Sequence, residues 1–164
     1  RKQRLDVFGV VLVSVGVKLA NAVTQQAMTV LAEGAAAVTT ASLSYGDLAK
    51  LYGKFDCFNM NAVIANAANA STIAAMQQLA DTRLDSDGKL VLPFGSELIK
   101  CAAVPANTII GIDKDFALEF ITSSGLVMET DKLIDCQLDS IAVSITCGFR
   151  KITPDAVKKI TITG

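Results

Sequence analysis

Histidine is absent from the 164-residue sequence, and this absence decides much of the chemistry open to the chain. A serine or cysteine nucleophile is usually activated by an imidazole, so nucleophile–histidine catalysis is excluded. Lysine- or carboxylate-based alternatives remain open. No two of the four cysteines form a C-x-x-C pair, so zinc ligation is not indicated and we expect buried free thiols in a reducing compartment. These cysteines are Cys57, Cys101, Cys136 and Cys147.

One cluster of carboxylates invites comparison with a calcium-binding loop. Asp85 and Asp87 would be its third and fifth residues. The first position, however, holds Arg83 and the twelfth holds Phe94, and neither side chain supplies the oxygen ligand required there. We therefore predict that this cluster, which begins at Asp81, is a solvated turn.

A second cluster has its carboxylates four residues apart. On a helix this spacing would stack like charges and destabilise the helix, which favours a solvent-facing loop. A metal site or an acid–base pair is the remaining alternative. The cluster consists of Asp131, Asp135 and Asp139.

The other candidate motifs have simpler structural explanations. Asn69-Ala70-Ser71 matches a glycosylation acceptor, but a helix cap at Asn69 explains the same residues. No glycine-rich phosphate loop or dinucleotide motif is present. Four methionines and seven phenylalanines have the spacing of core residues. The residues alone therefore predict no catalytic, cofactor-binding or metal-binding site, and no cofactor.

Composition points to more apolar surface than one small core requires. Hydrophobic residues make up 51% of the chain and charged residues 19%, below the usual quarter. Extended lobes or contacts between subunits could absorb the excess. With 15 basic and 16 acidic residues the net charge is −1, so binding of nucleic acid or an anionic membrane by charge is not expected. The length suits one domain or two small lobes.

The elements are organised around the stretch from Ile141 to Phe149. Its residues alternate between apolar and small or polar types, which predicts a strand of roughly 30 Å with one apolar face. A strand of this length needs an equally long cover. The apolar row consists of Ile141, Val143, Ile145, Cys147 and Phe149.

The cover is predicted to be one long amphipathic helix over Asp6–Glu33, with Gly34 as its stop. Strand is the alternative for its valine-rich first half, because β-branched residues are weak helix formers. Val7–Val17 is too short to span a bilayer, so we expect no transmembrane segment. The helical stripe comprises Leu5, Phe8, Leu12, Val15, Leu19, Val23 and Val30, with Gln26 as an exception.

Short elements are predicted for the middle of the chain. Gly34–Leu43 indicates a flexible crossing point, and Ser44 with Asp47 forms a capping box for a short helix that ends at Gly53. Asn69 is the predicted cap of a second helix, which buries Ile73, Met76 and Leu79. The predicted strands are Ala62–Ala65, Lys89–Leu92 after a turn at Asp87-Gly88, Glu97–Cys101 and Thr108–Asp113.

A meander of strands follows. Leu118 and Phe120 belong to one strand, Ser123–Gly125 supplies a turn, and Leu126 and Met128 belong to the next strand. A charged link from Asp131 to Asp139 then leads into the long strand. Val157–Ile162 is the last predicted strand.

The order of these elements resembles the C-terminal part of a tailed-phage major capsid protein of the Hong Kong 97 type. Each matching stretch is weak alone, and their order is the stronger signal. The stretches are Arg4-Leu5-Asp6 at the start of the long helix, Ala62–Asn66 with the helix through Met76 and Leu79, Val104-Pro105 with Thr108–Asp113, and Val127–Glu129 with Asp139–Arg150.

The resemblance implies an α+β fold, in which a long spine helix packs on an antiparallel β-meander beside a mixed α/β axial lobe. Residues 1–33 and 114–153 would form the peripheral lobe, and residues 34–113 and 154–164 the axial lobe. The family's N-terminal arm and extended loop would precede Arg1 and would be missing from this fragment.

The function implied by the resemblance is structural rather than enzymatic. Copies of the chain would assemble as pentamers and hexamers into an icosahedral shell in the bacterial cytoplasm, with a scaffold or prohead protease as potential helpers. The virion would enclose DNA without reading its sequence, and no membrane would be involved. An encapsulin-like nanocompartment shell, a small-ligand binding module and an enzyme are the alternatives. Arg4, Lys18, Asp131 and Lys132 are candidates for ion pairs between subunits, against plain surface solvation.

Overall fold

The computed structural model describes residues 7–77, 89–133 and 138–163. In chain order the elements are α1 (Val7–Ala32), β1 (Ala36–Thr40), α2 (Tyr45–Tyr52), β2 (Ala62–Ala65), α3 (Ala67–Ala74), β3 (Glu97–Lys100), β4 (Thr108–Ile112), β5 (Leu118–Leu133), β6 (Leu138–Lys151), a 3-10 turn (Pro154–Ala156) and β7 (Val157–Ile162). The predictions for Arg4, Leu79, Asp81, Arg83, Asp85, the Asp87-Gly88 turn, Asp135 and Cys136 lie outside the described residues.

Five strands form a mixed sheet in the order β1-β7-β4-β2-β3. β4 is antiparallel to its neighbours β7 and β2, whereas the outer strands β1 and β3 run parallel to β7 and β2. β2 and β4 are buried along their whole length, as expected for central strands covered on both faces.

Neighbouring residues of the central strands enter two different hydrophobic cores. Val63 and Ile109 join the core that includes side chains of α2 and α3. Ile64 and Ile110, one position further along, join the core that includes Leu31 at the end of α1. The period of two thus places α1 on one face of the sheet and the two short helices on the other.

Gly111 in β4 allows α2 to approach the sheet closely. A Cβ atom at this position would lie 2.9 Å from Met60 Sδ and 3.0 Å from Leu51 Cδ2. Both distances are shorter than normal contacts between heavy atoms, so a larger residue would displace fully buried Leu51.

The long N-terminal helix agrees with its prediction. α1 spans Val7–Ala32, and Gly34 follows with a left-handed φ of 63°. The strand alternative for its first half is wrong. The predicted stripe at Leu12, Val15, Leu19 and Val23 is partly buried, and the helix packs against β6. Ala27 is buried where Gln26 interrupted the predicted stripe.

Two lysines from distant strands hold the C-terminal end of α1. Lys151 Nζ, at the end of β6, donates to Leu31 O at 3.1 Å and also to Glu33 O. Lys159 Nζ, in β7, donates to Ala32 O at 2.9 Å. These carbonyls lack partners within the helix, and the positive charges face its negative end. The helix is thereby joined to both sheets.

β5 and β6 pair as a separate antiparallel hairpin. β6 includes the whole of the predicted strand. Its odd-numbered residues from Ile141 to Phe149 are partly buried, and the even-numbered residues between them are exposed. The predicted alternation is therefore confirmed.

The predicted three-strand meander is wrong, because β5 is one strand of 16 residues. Thr122 pairs with Cys147 and Val127 with Ser144, so β5 carries two more residues than β6 over this interval. Ser124 pairs with Thr146 between these two pairs, so one extra residue lies on each side of it. Ser123–Gly125 therefore belongs to two successive bulges and not to a turn. Asp131–Leu133 continues β5, so the predicted charged link is shorter than expected.

Three further predictions need correction. Gly34–Leu43 is not simply a flexible crossing point, because β1 within it pairs with β7. The cap of α3 is Asn66, whose Oδ1 accepts from Asn69 N at 2.8 Å. Lys89–Leu92 makes only an isolated bridge from Val91 to Glu97. The capping box of Ser44 and Asp47, by contrast, is confirmed.

Candidate functional site

The buried carboxylates serve the fold. Asp113 Oδ2 accepts from Asn59 N at 3.0 Å, and its Oδ1 accepts from Asn61 Nδ2 at 3.2 Å. These bonds fix the turn that leads from β4 into β5. Within the described residues, no group of three histidine, cysteine, aspartate or glutamate side chains could hold a metal ion.

Asp47 is the second buried carboxylate. Its Oδ2 accepts from Ser44 Oγ at 2.7 Å and from Thr40 Oγ1 at 3.1 Å, and its Oδ1 lies 3.2 Å from Lys50 Nζ. The hydrogen bond from Ser44 is the largest cause that holds the pKa of Asp47 below its usual value, and Lys50 and Thr40 add to it. Because all these partners stabilise the carboxylate at a helix N-terminus, Asp47 serves as the acidic partner of Ser44 in the capping box of α2.

A third carboxylate, Glu97, lies between two lysines. The ion pair and hydrogen bond with Lys114 lower the pKa of Glu97, and Lys89 at 3.6 Å contributes further. The triad joins the start of β3 to the turn before β5. It has the character of a surface ion-pair network, not of an acid–base pair.

Two concavities lie on the surface of the described residues. One concavity of about 160 Å³ is lined by charged and aromatic side chains around an ion pair of 2.8 Å between Lys158 and Asp155. A wider, open groove of about 470 Å³ lies between α1 and the loop after β3. Neither concavity combines an apolar lining with a few convergent polar groups, as a small-ligand site would.

The three thiols of the described residues do not form a common site. Cys57 is exposed, whereas Cys101 and Cys147 are half-buried, and all three are free. The expectation of burial is wrong for Cys57, because it lies in the loop between α2 and β2. The three thiols belong to separate elements.

The outstanding surface feature of α1 is its uncovered apolar side. Val10, Val13 and Val17 are 61%, 69% and 54% exposed. At 100° per residue they lie opposite the stripe that contacts β6. The helix is therefore apolar on two sides, and only one of these sides is covered.

β5 is uncovered to an even greater extent. Every residue from Glu119 to Lys132 is exposed, although the strand includes large apolar side chains. In the described part of the sheet its outer edge has no partner strand. A long unpaired edge with exposed apolar residues is a surface on which another chain can pair or pack. The exposed apolar residues are Phe120, Ile121, Leu126, Val127 and Met128.

α1 is also long and apolar enough, by length and composition, to cross a membrane. Gly9–Ala32 has a mean hydropathy of 1.2 over its most apolar window, and only 6% of that window is buried. The prediction of no transmembrane segment considered only Val7–Val17, which is shorter than the observed helix. Helices of soluble proteins and signal sequences share these properties, so the absence of a membrane span stays a prediction.

Comparison with known proteins finds the same architecture in several solved structures. No protein-family model and no curated protein matches the chain. Among solved structures, the capsid of a native GTA particle matches 99% of the chain and 68% of its own length, with a TM-score of 0.76 and 14% identity. The structure of Mycobacterium phage Che8 matches 91% of the chain and 61% of its own, with a TM-score of 0.75 and 17% identity.

The chain has the Hong Kong 97-type capsid fold. A third match is the holo-SrpI encapsulin complex from Synechococcus elongatus PCC 7942, with a TM-score of 0.73, 15% identity, and coverage of 98% of the chain and 66% of its own length. The chain thus spans about two thirds of the length of these proteins. The predicted α+β fold class is confirmed, with a two-stranded hairpin in place of the meander.

The three described candidates for ion pairs between subunits lie at the surface. Lys18 on α1 and both Asp131 and Lys132 on β5 are exposed. Asp47 was predicted through its capping box, whereas Lys151, which binds carbonyl oxygens at the end of α1, was missed. The only sequence signal for Lys151 was its location at the end of a predicted strand.

Proposed function

We propose that this chain is the major capsid subunit of a tailed phage or prophage, which self-assembles into an icosahedral shell around DNA. The observation that carries the proposal is β5, a strand with both faces and one edge exposed to solvent although it is rich in apolar residues. A subunit with this surface gains stability when copies cover each other.

Copies arranged as pentamers and hexamers would bury the exposed sides of α1 and β5. Each subunit would make several contacts, so modest affinity at each contact would still give a stable shell. The peripheral lobe, residues 1–33 and 114–153, would supply this surface, and the axial lobe, residues 34–113 and 154–164, would supply the rigid sheet. The role needs no cofactor and no catalytic turnover.

DNA would be enclosed in the virion without sequence readout, in keeping with the net charge of −1. Assembly would take place in the bacterial cytoplasm, where a scaffold or prohead protease are the candidate partners. A nanocompartment shell that encloses protein cargo is the second candidate, because an encapsulin complex has the same fold.

The test is expression of the whole protein in bacteria, followed by sedimentation and analysis of the particle contents. Fast-sedimenting closed particles are expected. Nuclease-protected DNA inside particles made during phage induction would support the capsid, and a stoichiometric protein cargo would support the nanocompartment. A protein that stays a small species with and without a co-expressed scaffold would contradict both.

A further inference from the structure

The uncovered side of α1 continues beyond its valines into the groove beside the helix. The exposed valines and three polar residues lie within one arc of about 120° around the helix axis, at 100° per residue. The polar residues are Asn21, Thr24 and Gln25. These three residues line the open groove together with Lys100 of β3 and the loop that follows it. The exposed strip is therefore apolar over its first half and polar, with a bordering cation, over its second half.

Positive charge lies beside the second, polar half of this strip and not beside its apolar first half. Val10–Val17 contains no charged residue, and exposed Lys18 comes next in the sequence. Lys100, also exposed, borders the second half. A partner that matches the strip must be apolar at one end and acidic at the other, over about 18 Å from Val13 to Gln25.

The outer face of the hairpin has this pattern. Val127, Glu129 and Asp131 pair with Ser144, Ala142 and Ser140, which are the exposed residues of β6. Directly paired residues share a face, so these three side chains lie on the side away from α1. The face is apolar at Val127 and acidic at Glu129 and Asp131, over about 14 Å.

We propose that the exposed strip of α1 in one copy docks on the outer face of β5 in a second copy. The valines would pack on Val127 and its small neighbours across the strand pair, and Lys18 and Lys100 would face Glu129 and Asp131. This contact rests on the proposed shell function and specifies how two subunits meet. Because it joins two different patches, it is heterologous and can propagate into rings and closed shells.

The contact explains two features that are otherwise unrelated. An apolar strip on α1 lies opposite the stripe that β6 already covers, and β5 is exposed on its outer face as well as on its edge. In the proposed contact, the strip of α1 in one copy covers the outer face of β5 in the other copy, and that face covers the strip. The charges set the relative direction of the two elements, with α1 of one copy parallel to β5 of the other.

Zero-length carbodiimide cross-linking tests the contact directly, because it joins an amine to a carboxylate only where the two touch. Particles of the whole protein would be assembled from an equal mixture of copies with ¹⁴N and ¹⁵N. We expect mixed-isotope peptides that link Lys18 or Lys100 to Glu129 or Asp131. Particles that form without these links would overturn the contact and leave the shell function intact. Absence of any assembled species would overturn both.

Matched variants give an independent test. Lys100→Glu and Glu129→Lys should each lower the particle yield roughly tenfold, and the double variant should restore it. Glu129→Gln should reduce the yield, whereas Glu119→Gln on the same strand should not. Unchanged circular dichroism and melting temperature of each variant would separate loss of contact from loss of fold. Failure of the double variant to recover would contradict the pairing.

The helix side has its own pair of variants. Val13→Asp should lower the yield, whereas Ala22→Asp, which is exposed outside the strip, should leave it unchanged. Binding of the wild type to phosphatidylcholine vesicles that is lost in Val13→Asp, without links between copies, would overturn the proposal in favour of a lipid surface.

Discussion

The five-stranded sheet and the β5–β6 hairpin show opposite uses of apolar residues within one chain. In the sheet, Val63, Ile109 and Ile160 are completely buried between helices. In the hairpin, Phe120, Val127 and most other residues of β5 are exposed on both faces. The sheet thus completes its own core, whereas the hairpin presents apolar surface that no other described element of the chain covers.

This difference separates folding from assembly. Burial of apolar area stabilises the sheet whether or not a partner is present. The hairpin is held in position by its contacts with α1, by the bond from Lys151 to the end of that helix and by the hydrogen bonds of Asp113. Substitutions in the two regions should therefore have different consequences.

The largest effect is expected for a charge placed in each region. Ile109→Asp should leave the chain unfolded, because a buried carboxylate without a partner costs more than the stability of a small domain can tolerate. Val127→Asp is the matched variant at a position 43% exposed, and should change the free energy of unfolding by less than about 0.5 kcal/mol. Thermal melts followed by circular dichroism compare the two. A folded Ile109→Asp variant would contradict the difference in burial between the sheet and the hairpin.

Glycines in the two regions provide a smaller contrast. Gly111→Ala should destabilise the sheet by about 1–3 kcal/mol, since its Cβ would press on Met60 and Leu51. Gly125→Ala in the bulge of β5 has open space around the added methyl group and should cost less than about 0.5 kcal/mol. Urea denaturation of the soluble subunit measures both, and equal losses would contradict this packing.

The smallest of these effects depends on pH. The pKa of Asp47 is lower in the folded chain than its ordinary value of 3.8, so its stabilisation is present above that value and is lost as pH falls through the folded pKa. Asp47→Asn should remove about 1 kcal/mol at neutral pH, and this loss should shrink as the pH falls through the folded pKa. Thr40→Val removes one donor and should have a smaller effect in the same direction. A loss that is independent of pH would contradict the role of the charge.

The parts of the fold that the sequence predicts are those with a strong periodic signal. The alternation from Ile141 to Phe149 predicted β6, and the spacing from Leu12 to Val23 predicted the covered side of α1. Ser44 and Asp47 predicted a helix start because both capping groups are local. In each case, the residues that decide the structure are close together in the sequence.

Predictions failed where distant pairing decides the structure. Ser123–Gly125 fits a turn and a bulge equally well, and pairing with Cys147 and Ser144 selects the bulge. β1 consists of small and β-branched residues, and it becomes a strand because β7 lies beside it. Asn66 and Asn69 are both suitable helix caps. Because β2 ends at Ala65, α3 begins directly after it and Asn66 is the cap.

The candidate surface was only partly predictable. The excess of apolar residues indicated contacts between subunits, but alternation alone placed the apolar residues of β5 in a core. Its exposure depends on α1 covering β6 and not β5, which is a property of the tertiary structure. The second apolar side of α1 is visible in the sequence as Val10, Val13 and Val17, and was overlooked because one covered stripe sufficed to predict the helix.

Amide hydrogen exchange of β5, in isolated subunits and in assembled particles, tests the central claim most directly. Amides of β2 and β4 should be protected in both states, because their bonds and side chains are buried within one chain. Within Glu119–Lys132, the amides that point to the free edge of β5 should exchange fast in the isolated subunit and be strongly slowed in particles. Equal exchange of β5 in the two states would contradict an assembly role for this surface, even if closed particles form.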